Sequence, residues 1–185
     1  MLPNPKDRKK IHLRKVHCEG FKRKDGLWDI EGHLKDTKTY NFKTNYRGNV
    51  DAGMAVHDMS IRITLNDYLI IKDVCISMDS HPYGTCPAIL SNFKNLIGVT
   101  IGKGFRKNVY SKVGGIQGCT HLVELLFPIA TTAFQTIYSY KAFKNKNTDQ
   151  KTDDEPKLIN SCHSWREDGE VIQKYFPKFY KGEIL

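Results

Sequence analysis

GGIQGCTHLVELLFPIATTAFQTIYSY, residues Gly114 to Tyr140, is the stretch on which the fold class turns. It reads as an apolar helix from about Thr120 onward, and Thr120 suits the N-cap, where a side-chain oxygen accepts an orphan backbone N–H. Pro128 lacks an N–H and crowds the preceding turn, so it is expected to kink this helix or split it in two. Between Ile116 and Tyr140 there is no Lys or Arg, although the chain has 29 of them in 185 residues. That absence predicts a helix buried on nearly every side. Yet His121, Glu124, Thr131, Thr132, Gln135 and Ser139 recur at steps of three or four, which aligns them along one stripe. A polar stripe on a buried helix predicts an internal wet cavity, where a His and a Glu hold shifted pKa values and act as acid or base.

Upstream of this helix the hydrophobic period falls to two. Asp25-Gly26 separates His12 to Arg23 from Leu27 to Lys38, and Asp-Gly between alternating segments is a strong hairpin signal. A two-residue Asp25-Gly26 loop pairs residues whose numbers sum to 51, sets Phe21, Trp28, Ile30 and Leu34 on one face, and places His33 opposite Cys18. A second hairpin is expected from Val56 to Leu65 and Tyr68 to Asp79, where Met59, Ile61, Ile63 and Leu65 alternate with Asp58, Ser60, Arg62 and Thr64. A two-residue turn at Asn66-Asp67 would bring Ser60 opposite Asp73 and Arg62 within diagonal reach of it. Thr39 to Gly53 reads as a long polar and aromatic loop, a candidate lid. After His81-Pro82, short helices are expected over Cys86 to Leu96 and Phe105 to Val113, with a turn at Gly102 to Gly104. The fold class is therefore α+β: an antiparallel sheet of two hairpins packed on a C-terminal group of helices with one central buried helix. A single domain is expected over 1–185, with a basic arm at 1–10 and a charged linker at 144–157.

Composition narrows the class of function. A hydrophobic share of 39% with 11% aromatics is too rich for a disordered chain, and no apolar run is long enough to span a bilayer. Met1 to Lys10 lacks the apolar core of a secretory signal. Cys18, Cys75, Cys86, Cys119 and Cys162 are odd in number and widely spaced with no CxxC pair, which argues against a disulfide framework and a zinc ribbon and fits reduced thiols in a cytoplasm. The net charge of +9 is concentrated in Lys6 to Lys24 and in Lys141 to Lys157, and reads either as a solvated surface or as a footprint for phosphates.

The chemistry is expected at the helix start. Gly114 to Cys119 brings flexible backbone and a thiol to a helix N-terminus, a setting that lowers thiol pKa and attracts anions. Cys119 and His121 are either a nucleophile or acid-base pair, or a buried thiol with a capping imidazole. Other polar clusters are His57-Asp58 at the mouth of a strand, Asp79 with His81, and Asn160-Ser161-Cys162-His163. Catalytic candidates are thus His121, Glu124, Cys119, His57 and Asp58; substrate-binding candidates are Arg62, Thr120, Gln135, Cys162 and His163. A metal held by His121, Glu124 and Cys119 with His57, Asp58 or His163 is conceivable from residue types, but His121-x-x-Glu124 lacks the second His of HExxH and no metal is assigned. No organic cofactor is expected: GxGxxG and Walker loops are absent.

DGLWDIEGHLKDTK (Asp25 to Lys38), VHDMSIRITLND (Val56 to Asp67), GGIQGCTHLVELL (Gly114 to Leu126) and NSCHSWREDGEV (Asn160 to Val171) together resemble a bacterial domain-of-unknown-function family, number 2889. The resemblance covers nearly the whole chain, and GCTHLxELL is its most distinctive part. It implies an association with bacterial breakdown of aromatic compounds, hence a small-molecule enzyme, and assigns no catalytic residues.

Three functions compete. The first is a small-molecule enzyme, an acid-base lyase or hydrolase acting on an anionic or phenolic compound, with His121 and Glu124 as acid and base. The second is a nucleic-acid or anion-binding module using the basic N-terminal hairpin with His12, His17, Phe21 and Trp28. The third is an assembly subunit, a homodimer packed through the aromatic tail Tyr175 to Tyr180. The enzyme reading accounts for the polar stripe, which the others leave unexplained.

Overall fold

In the computed structural model, which describes residues 2–146, 156 and 158–182, the first hairpin closes one residue away from the expected register. Strands β1 (His12–Lys22) and β2 (Trp28–Lys38) pair so that partner numbers sum to 50, as in Cys18 with Gly32 and His17 with His33. The loop explains the slip. Arg23 N–H donates to Leu27 O at 2.9 Å, which leaves Lys24-Asp25-Gly26 as a three-residue loop with Gly26 at φ +86°. A turn followed by a left-handed glycine is the three-residue alternative to the two-residue hairpin. Asp25 holds it, accepting from Leu27 N–H and from the Arg23 guanidinium. His33 therefore faces His17 rather than Cys18, and Phe21 leaves the face of Trp28 and is exposed.

The second hairpin joins β5 (Ala55–Leu65) to β6 (Ile71–Ser80), with Ser60 opposite Ser77 and Asp73 opposite Thr64, in place of the expected Ser60 and Asp73 pair. Its turn is longer than two residues because Asn66 closes it. The Asn66 Oδ1 accepts from Tyr68 N–H at 3.1 Å and Ile70 N–H at 2.9 Å. Leu69 takes φ 61° and is buried. The expected Arg62 and Asp73 pair is replaced by two others: Arg62 lies 3.5 Å from Glu31, and Asp73 accepts from Lys94 at 2.6 Å. The four strands form one antiparallel sheet in the order β1-β2-β5-β6. Thr39 to Gly53 is not a plain loop, since β3 (Phe42–Thr44) and β4 (Gly48–Val50) make a small ribbon within it.

One sheet face is apolar and lies in a single buried cluster with the helices. A 3-10 segment, Cys86–Leu96, contributes Phe93 and Leu96; helix α1 (Phe105–Val113) contributes Phe105, Val109 and Val113. Helix α2 (Thr120–Lys146) contributes Leu122, Leu125, Leu126, Ile129, Ala133 and Ile137, and runs through Pro128 without a break. Two strand glycines let α2 sit close. A Cβ on Gly32 would meet Ile129 Cδ1 at 2.5 Å, and one on Gly20 would meet Thr136 Oγ1 at 2.0 Å.

The expected burial of α2 on nearly every side is not found. Glu124, Thr131, Gln135 and Ser139 are exposed, so most of the polar stripe faces water, and among the described residues it lines no enclosed chamber. Uncharged hydroxyls and amides solvate a helix face as lysines do, so the absence of Lys and Arg carries no information about burial. His121, at the N-terminal end of the stripe, and Thr132 are half-buried. The helix begins at Thr120, which moves the N-cap from Thr120 to Cys119, whose C=O accepts from Val123 N–H at 2.9 Å.

The chain falls into two compact units, Met1–Ala142 and Phe143–Leu185. In the second, a short turn His163–Trp165 precedes helix α3 (Glu170–Tyr175), the Trp165 and Phe176 rings lie 5.4 Å apart, and Lys181 bonds Glu167 at 2.9 Å. Of the expected linker 144–157, residues 144–146 belong to α2, while 147–155 and 157 lie outside the described residues. Among the described residues no helix is long and apolar enough to cross a membrane.

If α2 rests on bare backbone at Gly32, then Gly32→Ala forces Ile129 or the helix to move and should cost about 1–3 kcal/mol. Urea unfolding of the purified variant measures this; stability equal to wild type would contradict the close approach.

Candidate functional site

The apolar row of β2, Trp28, Ile30, Gly32 and Leu34, continues by its own period of two to Asp36, whose side chain is only 1% exposed. A carboxylate so placed must be matched by donors. The register supplies them. Arg14 stands directly opposite Asp36 on β1, and His57 stands opposite it on β5. The ladder between β2 and β5 is irregular immediately after this row, between Asp36 and Thr37, the kind of bulge that re-aims side chains beside a site.

Arg14 grips the carboxylate with two hydrogen bonds, Nε to Oδ1 and Nη2 to Oδ2, each 2.8 Å. This fork geometry is the strongest form of the pair. His12 Nε2 lies 3.2 Å from Oδ1, and His57 Nδ1 lies 3.0 Å from Oδ2. From the first turn of α2, His121 brings Nε2 to 3.9 Å from the same Oδ2. Its ring lies over that of His57 with centroids 3.7 Å apart. Cys119 Sγ is 3.8 Å from His121 Nδ1, and Arg14 Nη1 reaches Glu124 Oε2 at 3.3 Å.

Burial alone would raise the Asp36 pKa, but the Arg14 hydrogen bonds and charge, with His57 and His12, override it and hold the carboxyl at about 2. Burial lowers the pKa of both His57 and His121; for His57 the neighbouring His121 adds to it, and for His121 the Arg14 charge does. The centre is thus an ionised carboxylate balanced by one guanidinium, with two imidazoles held toward the neutral form beside it, their rings tilted by 32°. Side-chain exposure rises outward, from 13% at His57 and 25% at His121 to 54% at Glu124. The inner groups are sheltered and the rim is wet.

Of the sequence candidates, His57, Cys119, His121 and Glu124 come together here. Asp58 does not: as the neighbour of His57 on one strand it points to the opposite sheet face, where it binds His33 and Lys35. Arg62 lies on that face too, beside a hollow of about 290 Å³ lined in part by His17, Glu31, His33 and Cys75. Its charged groups pair among themselves, Arg62 with Glu31 and His17 with Glu19, which makes it the poorer candidate despite its size. Thr120 and Gln135 are exposed on α2, and Cys162 and His163 are exposed in the second unit. Sequence reading missed Asp36 and Arg14 and took His12 only as part of a nucleic-acid surface. Extending the Trp28, Ile30, Leu34 alternation by one step would have found Asp36.

A helix laid across one face of an antiparallel sheet, with a sheltered Asp-Arg-His cluster at one end, defines a small α+β domain with, among the described residues, one cluster of this kind. The family model described as "Protein of unknown function (DUF2889)" matches residues 12–135, more than half of the chain, and the chain belongs to that family. The match takes in every member of the cluster from His12 to Glu124 but ends before Asn160 to Val171, so the resemblance is narrower than the motifs suggested. No curated protein and no solved structure matches the chain.

Because the folded pKa of Asp36 lies below the unfolded value of about 3.9, its contribution to stability is fully present above that pH and is lost as pH falls toward about 2. Wild type should therefore lose about 2 kcal/mol more than Asp36→Asn on acidification through this window. Arg14→Met, which leaves the buried carboxylate with its imidazoles alone, should cost about 1–3 kcal/mol at neutral pH. Denaturant titrations at several pH values read both, and an equal pH slope in wild type and Asp36→Asn would refute the pairing.

Proposed function

We propose that this chain is a small-molecule enzyme whose reactive centre is the cluster of Arg14, Asp36, His57 and His121, and that it performs a proton-transfer step of the lyase or hydrolase type on an anionic or phenolic compound. The observation that carries this reading is the Asp36 carboxylate, 1% exposed yet aimed at two imidazoles that are themselves 13% and 25% exposed. A purely structural carboxylate is satisfied by its arginine; here a second imidazole is held against the first, 3.7 Å between ring centroids, at the edge of solvent. The cluster supplies the proton acceptor. Arg14 spans Asp36 and Glu124 and holds both carboxylates in place at the edge of the cluster.

The basic hairpin is the competing reading, as a nucleic-acid surface. Against it, Arg14 is engaged by Asp36 and Arg23 by Asp25 and Asp29, so two of its arginines are directed at the protein itself. A cytoplasmic setting agrees with five free cysteines. Association with a second copy through the tail agrees with the 63% exposure of Tyr175.

The test is a screen of small aromatic carboxylates, phenols and their esters, read first by histidine-ring NMR and then by turnover of whatever binds. Hits should perturb His57 and His121, and His121→Ala should lower turnover by about 100-fold or more while circular dichroism stays native. Compounds that shift only the open-face His17 and His33, or turnover that persists in His121→Ala, would count against the assignment. Steep salt-dependent retention on heparin with no small-molecule hit would favour the nucleic-acid reading instead.

A further inference from the structure

We infer that Asp36, His57 and His121 bind one divalent first-row transition-metal ion, with one carboxylate oxygen and two imidazole nitrogens as ligands and the remaining coordination positions open. The inference rests on the reading of this cluster as the reactive centre and deepens it, because water bound to such an ion is a proton donor and nucleophile at neutral pH.

The geometry comes first. One ligand atom from each of the three residues lies within 4.8 Å of the other two. Measured from Asp36 Oδ2, His57 Nδ1 is at 3.0 Å and His121 Nε2 at 3.9 Å. Ligands that share an ion at about 2.0–2.2 Å stand roughly 3 to 3.5 Å from one another, so the Asp36–His57 edge already has that spacing, and the other two, at 3.9 Å and at most 4.8 Å, close on a common point by small side-chain shifts. The three ligands come from three elements, β2, β5 and α2, which fixes their mutual placement through the core rather than through a loop.

The donor types select the ion. Two imidazoles and a carboxylate suit zinc, iron or cobalt, whereas magnesium and calcium take oxygen ligands. Three protein ligands with open positions is the arrangement of a reactive rather than a structural site. The outer contacts are of the kind that orient metal ligands. Arg14 Nε and His12 hold Asp36 Oδ1, Arg14 Nη2 bonds the liganding Oδ2, and Cys119 Sγ lies beside Nδ1 of His121, the ring nitrogen not turned toward Asp36. The guanidinium opposes an incoming cation, which predicts moderate rather than extreme affinity.

The full chain, stripped of metal with a chelator, is titrated with Co2+ by visible absorption and with Zn2+ by calorimetry. The expected result is one ion per chain with ligand-field bands for Co2+, weakened about tenfold or more in His57→Gln and in His121→Gln and unchanged in His163→Ala and Cys162→Ser. Should the two His variants fail to fold, histidine-ring NMR of the wild type decides: Zn2+ should shift His57 and His121 together and leave His17, His81 and His163 in place. Absence of saturable binding at one equivalent overturns the inference, as does binding that is lost only with Cys162 and His163. A chain that turns over a small molecule without binding metal would refute this inference and leave the enzyme reading standing; a chain that binds metal at the cluster and accepts no small molecule would do the reverse.

Discussion

A carboxylate almost wholly removed from water has to be answered by hydrogen-bond donors, and in this fold the answer is the forked pair between Arg14 and Asp36 across β1 and β2. That pair constrains everything at this end of the sheet. It requires the sum-50 register, because a slip of one residue would turn Arg14 to the opposite face and set Lys15 against Asp36. It fixes the carboxylate in one orientation, with Oδ2 aimed toward β5 and the start of α2. His57 and His121 then meet at that oxygen because their own elements are already committed to the core.

The packing of α2 carries the second half of this arrangement. A strand surface with side chains at Gly20 and Gly32 would hold the helix farther away, and His121 would not reach the Asp36 row. The helix starts beyond Cys119, so its first turn overhangs the end of the sheet where the apolar row gives way to Asp36. Leu122, Leu125 and Leu126 follow at once and anchor that turn in the core. The same packing leaves the polar stripe of α2 facing water, which moves the candidate centre from the length of the helix to its first turn.

Two polar regions thus compete on one sheet, and charge pairing separates them. On the open face His17 meets Glu19, His33 meets Asp58 and Arg62 meets Glu31, side-chain pairs at the surface of the kind that contribute little. At the sheltered end, one guanidinium meets one carboxylate and two imidazoles remain neutral beside them. An arrangement with neutral nitrogens converging on a fixed anion is suited to taking up a proton or a cation. A set of closed ion pairs is not.

By itself the sequence determined the elements and their faces. Alternation in β2, β5 and β6 marked the apolar face, the apolar run after Thr120 marked α2, and residue type drew attention to His57, Cys119, His121 and Glu124. These are local matters, set by periods of two and 3.6 residues. Tertiary structure decided the partners. Whether Lys24-Asp25-Gly26 closes as a two- or a three-residue loop is settled by Arg23 and Asp25 in three dimensions, and that single residue puts Arg14 rather than Lys15 opposite Asp36. The inward turn of His121 and the outward turn of Glu124, Thr131 and Gln135 were likewise settled by where α2 meets the glycines of the sheet. A side chain's environment depends on residues far away along the chain, and no local pattern of residue types contains that information.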